Sequence, residues 1–370
     1  MKRSSVTTIY QTIINDLHDR IKAGDFSYDI PFCTEKSICE AYSVSRITAK
    51  TAINNLAEMG LLYRKRGIGS FVAQRENGNG RPVVPGKGAY RTVALMMPFH
   101  MSKGGFFKSV EVATDALARH GVYFTLNIFE VGFENEQAML QSLTGRDIDG
   151  IVYYPSSESM PTGLLDQFCE RGKPILIIDK PHEYPQYSGI VSDNYRGGVL
   201  ITEHLISYGH AHICYLSRFS AEDVYTIRDR HSGLRATLSA NGIKEEPLFS
   251  LIEAAPDGSL DYPMLKHIIN ELYRKGITAL VCENDEVAFH AYMCCQSLSI
   301  RIPEDMSVTG FDNISWATMG NTHITTVEQD FAQIGESIAD LLLLPDYQPE
   351  HQVIPVRLIP RHSTGPVRGG

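Results

Sequence analysis

The chain has 370 residues, room for two or three domains, and its 43% apolar and 21% charged residues exclude a wholly disordered chain or a fibre. A net charge of −9 argues against a nucleic-acid binder only if charge is evenly spread, and it is not. Residues 1–75 hold 11 Lys/Arg against 7 Asp/Glu, a net of +4, so the remainder carries −13. No apolar run approaches the roughly 18 residues of a membrane span. The first residues lack the apolar stretch of a secretory signal, and the seven cysteines are scattered without a CxxC pair. A reducing cytoplasm is therefore expected.

Ile9, Ile13, Leu17 and Ile21 recur every four residues before Gly24, which predicts a helix over 8–23. Thr34 can cap a short second helix ending near Tyr42, with Ile38 and Ala41 turned inward. Ser45 can cap a third, reaching about Met59, whose apolar face is Ala49, Ala52, Ile53 and Leu56. Strand-like runs at 61–64 and 70–73 flank a tight basic turn, Lys65-Arg66-Gly67-Ile68-Gly69. Three helices and a hairpin within residues 1–75 make the plan of a winged helix-turn-helix DNA-binding domain.

Next, Gly78, Gly80, Pro82, Pro85, Gly86 and Gly88 break every periodicity, and a flexible linker is expected over 76–90. Beyond it, apolar runs at 92–99, 122–129, 149–154, 174–179, 212–217, 279–284 and 305–311 read as strands. They alternate with helical stretches such as 108–120, 135–144 and 197–208. Such alternation is the sequence form of a doubly wound parallel sheet. Two sets of units predict a two-lobed α/β core over 91–370, one lobe about 91–209 with 328–358 and the other about 210–327.

The third helix opens with Ser45, Arg46, Thr48 and Lys50, where a recognition helix enters the major groove. Arg46 has the planar fork that suits a guanine edge, while Ser45, Thr48 and Lys50 suit phosphates. At the hairpin tip, Arg64, Lys65 and Arg66 around Gly67 can reach the adjacent backbone or minor groove. The Ser45-Arg46-x-Thr48 opening, the run Asn55-Leu56 to Gly60-Leu61 and the Gly67-x-Gly69 turn closing on Phe71-Val72 resemble the GntR-type winged helix-turn-helix. That resemblance implies DNA contacts at Lys36, Ser45, Arg46, Thr48, Lys50, Arg66 and Gly67. Two departures stand out. The family's Leu-Pro-Ser-Glu-Arg reads Phe32-Cys33-Thr34-Glu35-Lys36, and Lys50 stands where an arginine is usual, so a point charge replaces a fork at both places.

From about Arg91 to Ser363 the chain resembles the ligand-sensing core of LacI/GalR repressors, itself similar to periplasmic sugar-binding proteins. The marks are Ser192-Asp193-Asn194 with Gly197-Gly198, Gly209-His210, Arg228-x-Arg230 before Gly233, Glu283-Asn284-Asp285, residues 302–313 and Thr325-Thr326-Val327. The resemblance implies that Arg230, beside Arg228, grips ligand hydroxyls. It places Asn284 and Asp312 at carboxyl ends of strands, where open sheets bind ligands. Phe106 and Phe107 would stack on the apolar face of a sugar. Each has a plainer reading: Asn284 as a helix cap, Arg228 as a surface ion pair, the phenylalanines as core. Asp312 is harder to dismiss, because an unpaired buried carboxylate is costly.

The histidines show no HExxH spacing, and there is no G-x-S-x-G or Walker A loop, so neither catalysis, a metal nor a cofactor is expected. The expected protein is a homodimeric regulator of carbohydrate-utilisation genes that binds double-stranded operator DNA and is released by a monosaccharide between the lobes. The alternatives are a core that only dimerises and a sugar-dependent activator.

Overall fold

The structure, a computed structural model, describes residues 13, 14, 16–18, 20, 32–58, 62–65, 69–72, 91–98, 105–156, 159–180, 184–243, 248–252, 260–344 and 347–367. The chain divides into two compact units, Met1–Arg81 and Pro82–Gly370.

In the first unit, α1 (Glu35–Tyr42) and α2 (Arg46–Glu58) pack on a hairpin of β1 (Leu62–Lys65) and β2 (Gly69–Val72). The core joins Ile13, Ile14 and Leu17 to Ile38, to Ala49, Ala52, Ile53 and Leu56, and to Leu62 and Val72. A capping box starts α1: Ser37 N donates to Thr34 Oγ1 at 3.0 Å and Thr34 N to Ser37 Oγ at 2.8 Å. Ser43, left-handed at φ 53°, ends it and turns the chain into α2. Ala41 is exposed rather than inward, because the inner stripe of α1 runs through Ile38, Cys39 and Tyr42. Cys33 and Ser70 exchange backbone hydrogen bonds at 3.2 and 2.9 Å, which ties the lead-in of α1 to the hairpin. The expected linker, 76–90, lies outside the described residues.

The second unit holds two six-stranded sheets. The first is built from β3 (Arg91–Pro98), β4 (Val122–Phe129), β5 (Gly150–Tyr153), β6 (Ile175–Ile178), β7 (Ser188–Ser192) and β13 (His351–Ile354). Its order is β13-β7-β6-β5-β3-β4, all parallel. The second contains β8 (Ile213–Ser217), β9 (Leu248–Leu251), β10 (Ala279–Cys282), β11 (Ser307–Asp312), β12 (Thr325–Gln329) and β14 (Val356–Ile359). Its order is β14-β12-β11-β10-β8-β9, parallel except for β14. Central strands such as Ile175–Ile178 and Ala279–Cys282 are buried throughout because helices cover both faces.

The first sheet packs against α3 (Phe106–Ala118), α4 (Phe133–Thr144), α5 (Thr162–Cys169) and, late in the chain, the helix Phe331–Leu343. The second takes α6 (Asn194–Ser207), α7 (Tyr225–Ala240), α8 (Tyr262–Arg274) and α9 (Asp285–Ser297). The helix Phe331–Leu343 is α10. The chain therefore passes between lobes three times: from β7 to α6, from β12 to α10, and at Pro355 between β13 and β14.

This differs from the expected lobe boundaries near 209 and 358: α6 belongs with the second sheet, and β14 pairs there too. Two glycines explain the position of α6. A Cβ on Gly198 would collide with the Arg230 carbonyl, and one on Gly233 with the Tyr195 carbonyl, so the α6 and α7 backbones touch where they cross. No helix among the described residues is long and apolar enough to cross a membrane.

Candidate functional site

On the head, Ser45 caps α2. Its Oγ accepts from Thr48 N at 3.2 Å and lies 2.9 Å from Thr48 Oγ1, so both hydroxyls shape the first helical turn. Arg46 and Lys50, one turn apart, are exposed. Lys36 on α1 is also exposed, its ammonium 3.9 Å from Glu40, a solvated pair that a phosphate can displace at little cost. Arg64 and Lys65 lie on β1, next to the turn. Arg66 and Gly67 fall outside the described residues.

In the core, the carboxyl ends of both sheets converge on one polar cluster. Tyr154, just after β5, donates to Asp179 Oδ2 at 2.6 Å, just after β6. Arg230 on α7, only 7% exposed, donates from Nε to Asn194 Oδ1 at 2.8 Å and from Nη1 to the Glu283 carbonyl at 2.5 Å. Its guanidinium carbon lies 3.6 Å from the Phe311 ring centroid, a cation–π contact. Asp312, the last residue of β11, accepts from Gln329 Nε2 at 2.6 Å. Glu283 accepts from Ser217 Oγ at 2.6 Å, Arg218 N at 2.9 Å and Arg218 Nε at 2.7 Å.

The electrostatics show that the lobes share this cluster. Burial raises the Asp179 carboxyl above the usual range, against Tyr154, Arg230 and Lys180. Burial also pushes the Asp312 carboxyl up to about 6; Arg230 and Gln329 oppose the rise, and Asp179 and Glu283 add to it. Beneath it, the fully buried Asp285 accepts from Thr326 Oγ1 at 2.5 Å and Ile314 N at 2.8 Å. Burial, and then Asp312, pushes that carboxyl up to about 8. Backbone strain collects at the same place. Asp179 (φ 61°), Asp312 (φ 105°) and Asn313 (φ 55°) are left-handed without being glycine, which costs on the order of 1–3 kcal/mol each. Arg361 Nη2 steadies that turn by donating to Asn313 Oδ1 at 2.5 Å.

Of the residues singled out in the sequence, Arg230 and Asp312 lie in the cluster. Phe106 is 2% exposed and meets Tyr154 edge-on at 5.1 Å, so it supports the cluster from the lobe core. Phe107 is 43% exposed on the outer side of α3, where it borders a shallow surface with Lys108, Glu111 and Thr114. Asn284 caps α9, its Oδ1 accepting from Val287 N at 2.9 Å. Arg228 donates to the Ala221 and Glu222 carbonyls at 3.2 and 3.4 Å and holds the loop before α7. Sequence reasoning did not reach Tyr154, Asp179 or Gln329. Tyr154 and Asp179 each follow an apolar strand run, and that position was the available signal.

The chain thus holds a head of helices and a hairpin and a two-lobed α/β core with a polar cluster at the strand ends. The bacterial regulatory proteins of the gntR family match residues 9–72, and the periplasmic binding protein-like domain matches residues 202–364. Residues 9–72 thus form a gntR-family domain and residues 202–364 a periplasmic binding protein-like domain. The chain is similar to the arabinose metabolism transcriptional repressor of Halalkalibacterium halodurans, 26% identical over 313 residues, covering 84% of this chain and 82% of that one. The repressor of the same name from Geobacillus stearothermophilus is 23% identical, covering 90% of each chain. Among solved structures, a LacI family transcriptional regulator from Enterococcus faecium with bound ribose matches at a TM-score of 0.64 and 24% identity, covering 75% of this chain and all of that one.

Proposed function

We propose that the protein is a homodimeric transcriptional repressor that binds double-stranded operator DNA through its winged head in the cytoplasm. A neutral sugar, most simply a monosaccharide, binds between the core lobes and releases it, relieving repression of carbohydrate-utilisation genes. The observation that carries this reading is the shared cluster: Arg230 from one lobe sits in the field of Asp179 from the other, with Asp312 beside both. A ligand bridging these groups would favour the closed arrangement of the lobes, the kind of differential contact a population shift needs.

The name shared by two relatives that span most of the chain favours repression, and the ribose held by the Enterococcus protein favours a sugar effector. Arg46 and Lys50 on α2, Lys36 on α1, and Arg64 and Lys65 at the hairpin are the described DNA contacts in this reading. Ser45 and Thr48 form the turn that presents Arg46. In the core, Arg230, Asp312, Asp179 and Tyr154 contact the effector.

The test has two stages. Duplexes selected by the full-length protein from a random pool supply the operator. That duplex is then titrated with and without each of a set of mono- and disaccharides. A sugar that weakens binding to the selected duplex is the expected result. Binding that no sugar changes, in a protein whose melting temperature no sugar shifts, would remove the effector reading.

A further inference from the structure

We infer that Gly105 sets how far the two core lobes can close: at the start of α3 it bears on Ile314 of the second lobe, and its missing side chain is the room that the closed arrangement needs. The inference rests on the effector reading above and adds the contact through which closure is limited.

Glycine serves here for space and not for backbone conformation. Gly105 has φ −61° and ψ −26°, right-handed helical values that any residue adopts. A Cβ built on it would lie 2.6 Å from Phe331 Cζ and 2.8 Å from Ile314 Cγ2, well inside the roughly 3.5–4.0 Å of an ordinary carbon–carbon contact. Phe331 opens α10 in the same lobe, whereas Ile314 follows β11 in the other. The contact therefore crosses from lobe to lobe.

Each side is held in place within its own lobe. Farther along, α3 is pressed onto α10, where a Cβ on Gly335 would lie 2.5 Å from the Ser109 carbonyl oxygen. Phe331 packs against the core that includes Phe106 and Ile334. In the second lobe, Ile314 N donates to Asp285 Oδ2 at 2.8 Å and Arg361 Nη2 to Asn313 Oδ1 at 2.5 Å, which fix the left-handed turn Asp312-Asn313. Added bulk at Gly105 is therefore relieved by opening the angle between the lobes. The passage from β12 to α10 runs through Asp330, next to Phe331, so the contact lies beside a pivot and a small displacement there grows with distance from it. Ile314 is also two residues from Asp312, so whatever moves this turn moves a proposed effector contact.

Three full-length variants test this: Gly105→Ala, Ile314→Phe, and Gly105→Ala combined with Ile314→Ala. Each is titrated on the selected duplex with arabinose, ribose, glucose, galactose and cellobiose, beside the unsubstituted protein. For a sugar that acts on the unsubstituted protein, Gly105→Ala should raise the concentration needed for half-release about tenfold or more, because only the closed fraction binds the sugar tightly. Binding to the duplex without sugar should stay within about twofold, since no DNA contact is touched. Ile314→Phe adds the bulk from the other lobe and should weaken the response in the same way, even if Gly105→Ala does not fold. Ile314→Ala in the Gly105→Ala protein should restore most of the response, a rescue across the lobes that a merely structural role for Gly105 would not give. An unchanged response in Gly105→Ala or Ile314→Phe, or a loss that Ile314→Ala does not rescue, overturns the inference and leaves the effector reading standing. If none of the sugars acts on the unsubstituted protein, the effector reading fails and the inference falls with it.

Discussion

Arg46 and Lys50 stand side by side on α2, yet their chemistry divides their roles. The guanidinium fork matches two acceptors on one base edge, whereas an ammonium satisfies any phosphate oxygen. Arg46→Ala is therefore expected to cost about 1–3 kcal/mol on the operator and little on random duplex, by fluorescence anisotropy on both. Equal losses would reassign Arg46 to the backbone. In the core, Asp285 makes a different prediction. Its folded carboxyl sits near 8, far above the ordinary value of about 4, so the folded state holds a proton that the unfolded chain releases. Stability is then highest at the acid end of that window and falls as pH rises from about 4 to about 8, by a few kcal/mol at most. Asp285→Asn should flatten this slope, with the largest gain in melting temperature near pH 8, about 2–4 °C per kcal/mol. Parallel slopes for the two proteins would show Asp285 ionised throughout.

The crossing of α6 and α7 connects packing to the cluster. Arg230 projects from the part of α7 whose backbone carbonyl lies against Gly198, so the spacing of the two helices also sets the position of the guanidinium. Gly198→Ala should force the helices apart and destabilise the core by about 1–3 kcal/mol. Thermal unfolding measures that cost, and a weaker effector affinity should accompany it. Gly163→Ala, in α5 where an added Cβ meets nothing within 4 Å, is the matched control and should be neutral or slightly stabilising. Unchanged stability in Gly198→Ala would mean the crossing is looser than its geometry. β9, by contrast, was not legible beforehand: at the sheet edge its two end residues are exposed and its two middle ones half-buried, without the continuous burial that marks β6 or β10.

Head and core carry opposite net charge, and the stretch between them is rich in glycine and proline. Each proline costs about 3 kcal/mol in a helix interior and each glycine about 1, so a hinge helix between Gly78 and Gly88 is disfavoured. In the dimer proposed above, a tether of that composition would couple the two parts through the effective concentration of the second head, which changes gradually with length. The effector should then weaken operator binding by a coupling of about 1–3 kcal/mol, and Gly/Ser insertions beside Gly86 should erode it step by step. Operator titration across such a series, with and without effector, is the measurement. Loss of the whole effect on inserting a single residue would point to a rigid connection.

Local chemistry is enough to read the winged head, the alternation of strands and helices, and the placing of Asp312 at a strand end, whereas Arg230, on α7, was reached through the family resemblance. Caps, glycine stops and apolar periods act between residues close in the chain, and strand ends are marked where apolar runs stop. The partners of Arg230 could not be read this way. Asn194, Glu283 and Phe311 lie tens of residues from it, and Asp179 reaches it from the other lobe. The same limit explains Asn284 and Phe107, residue types that suit a ligand site. One became a helix cap and the other an outward-facing side chain once the direction of each helix was settled by what it packed against. The sequence by itself determined which elements form and which residues are chemically equipped. Tertiary structure decided which of them meet, because only the three passages between lobes bring the ends of the two sheets together.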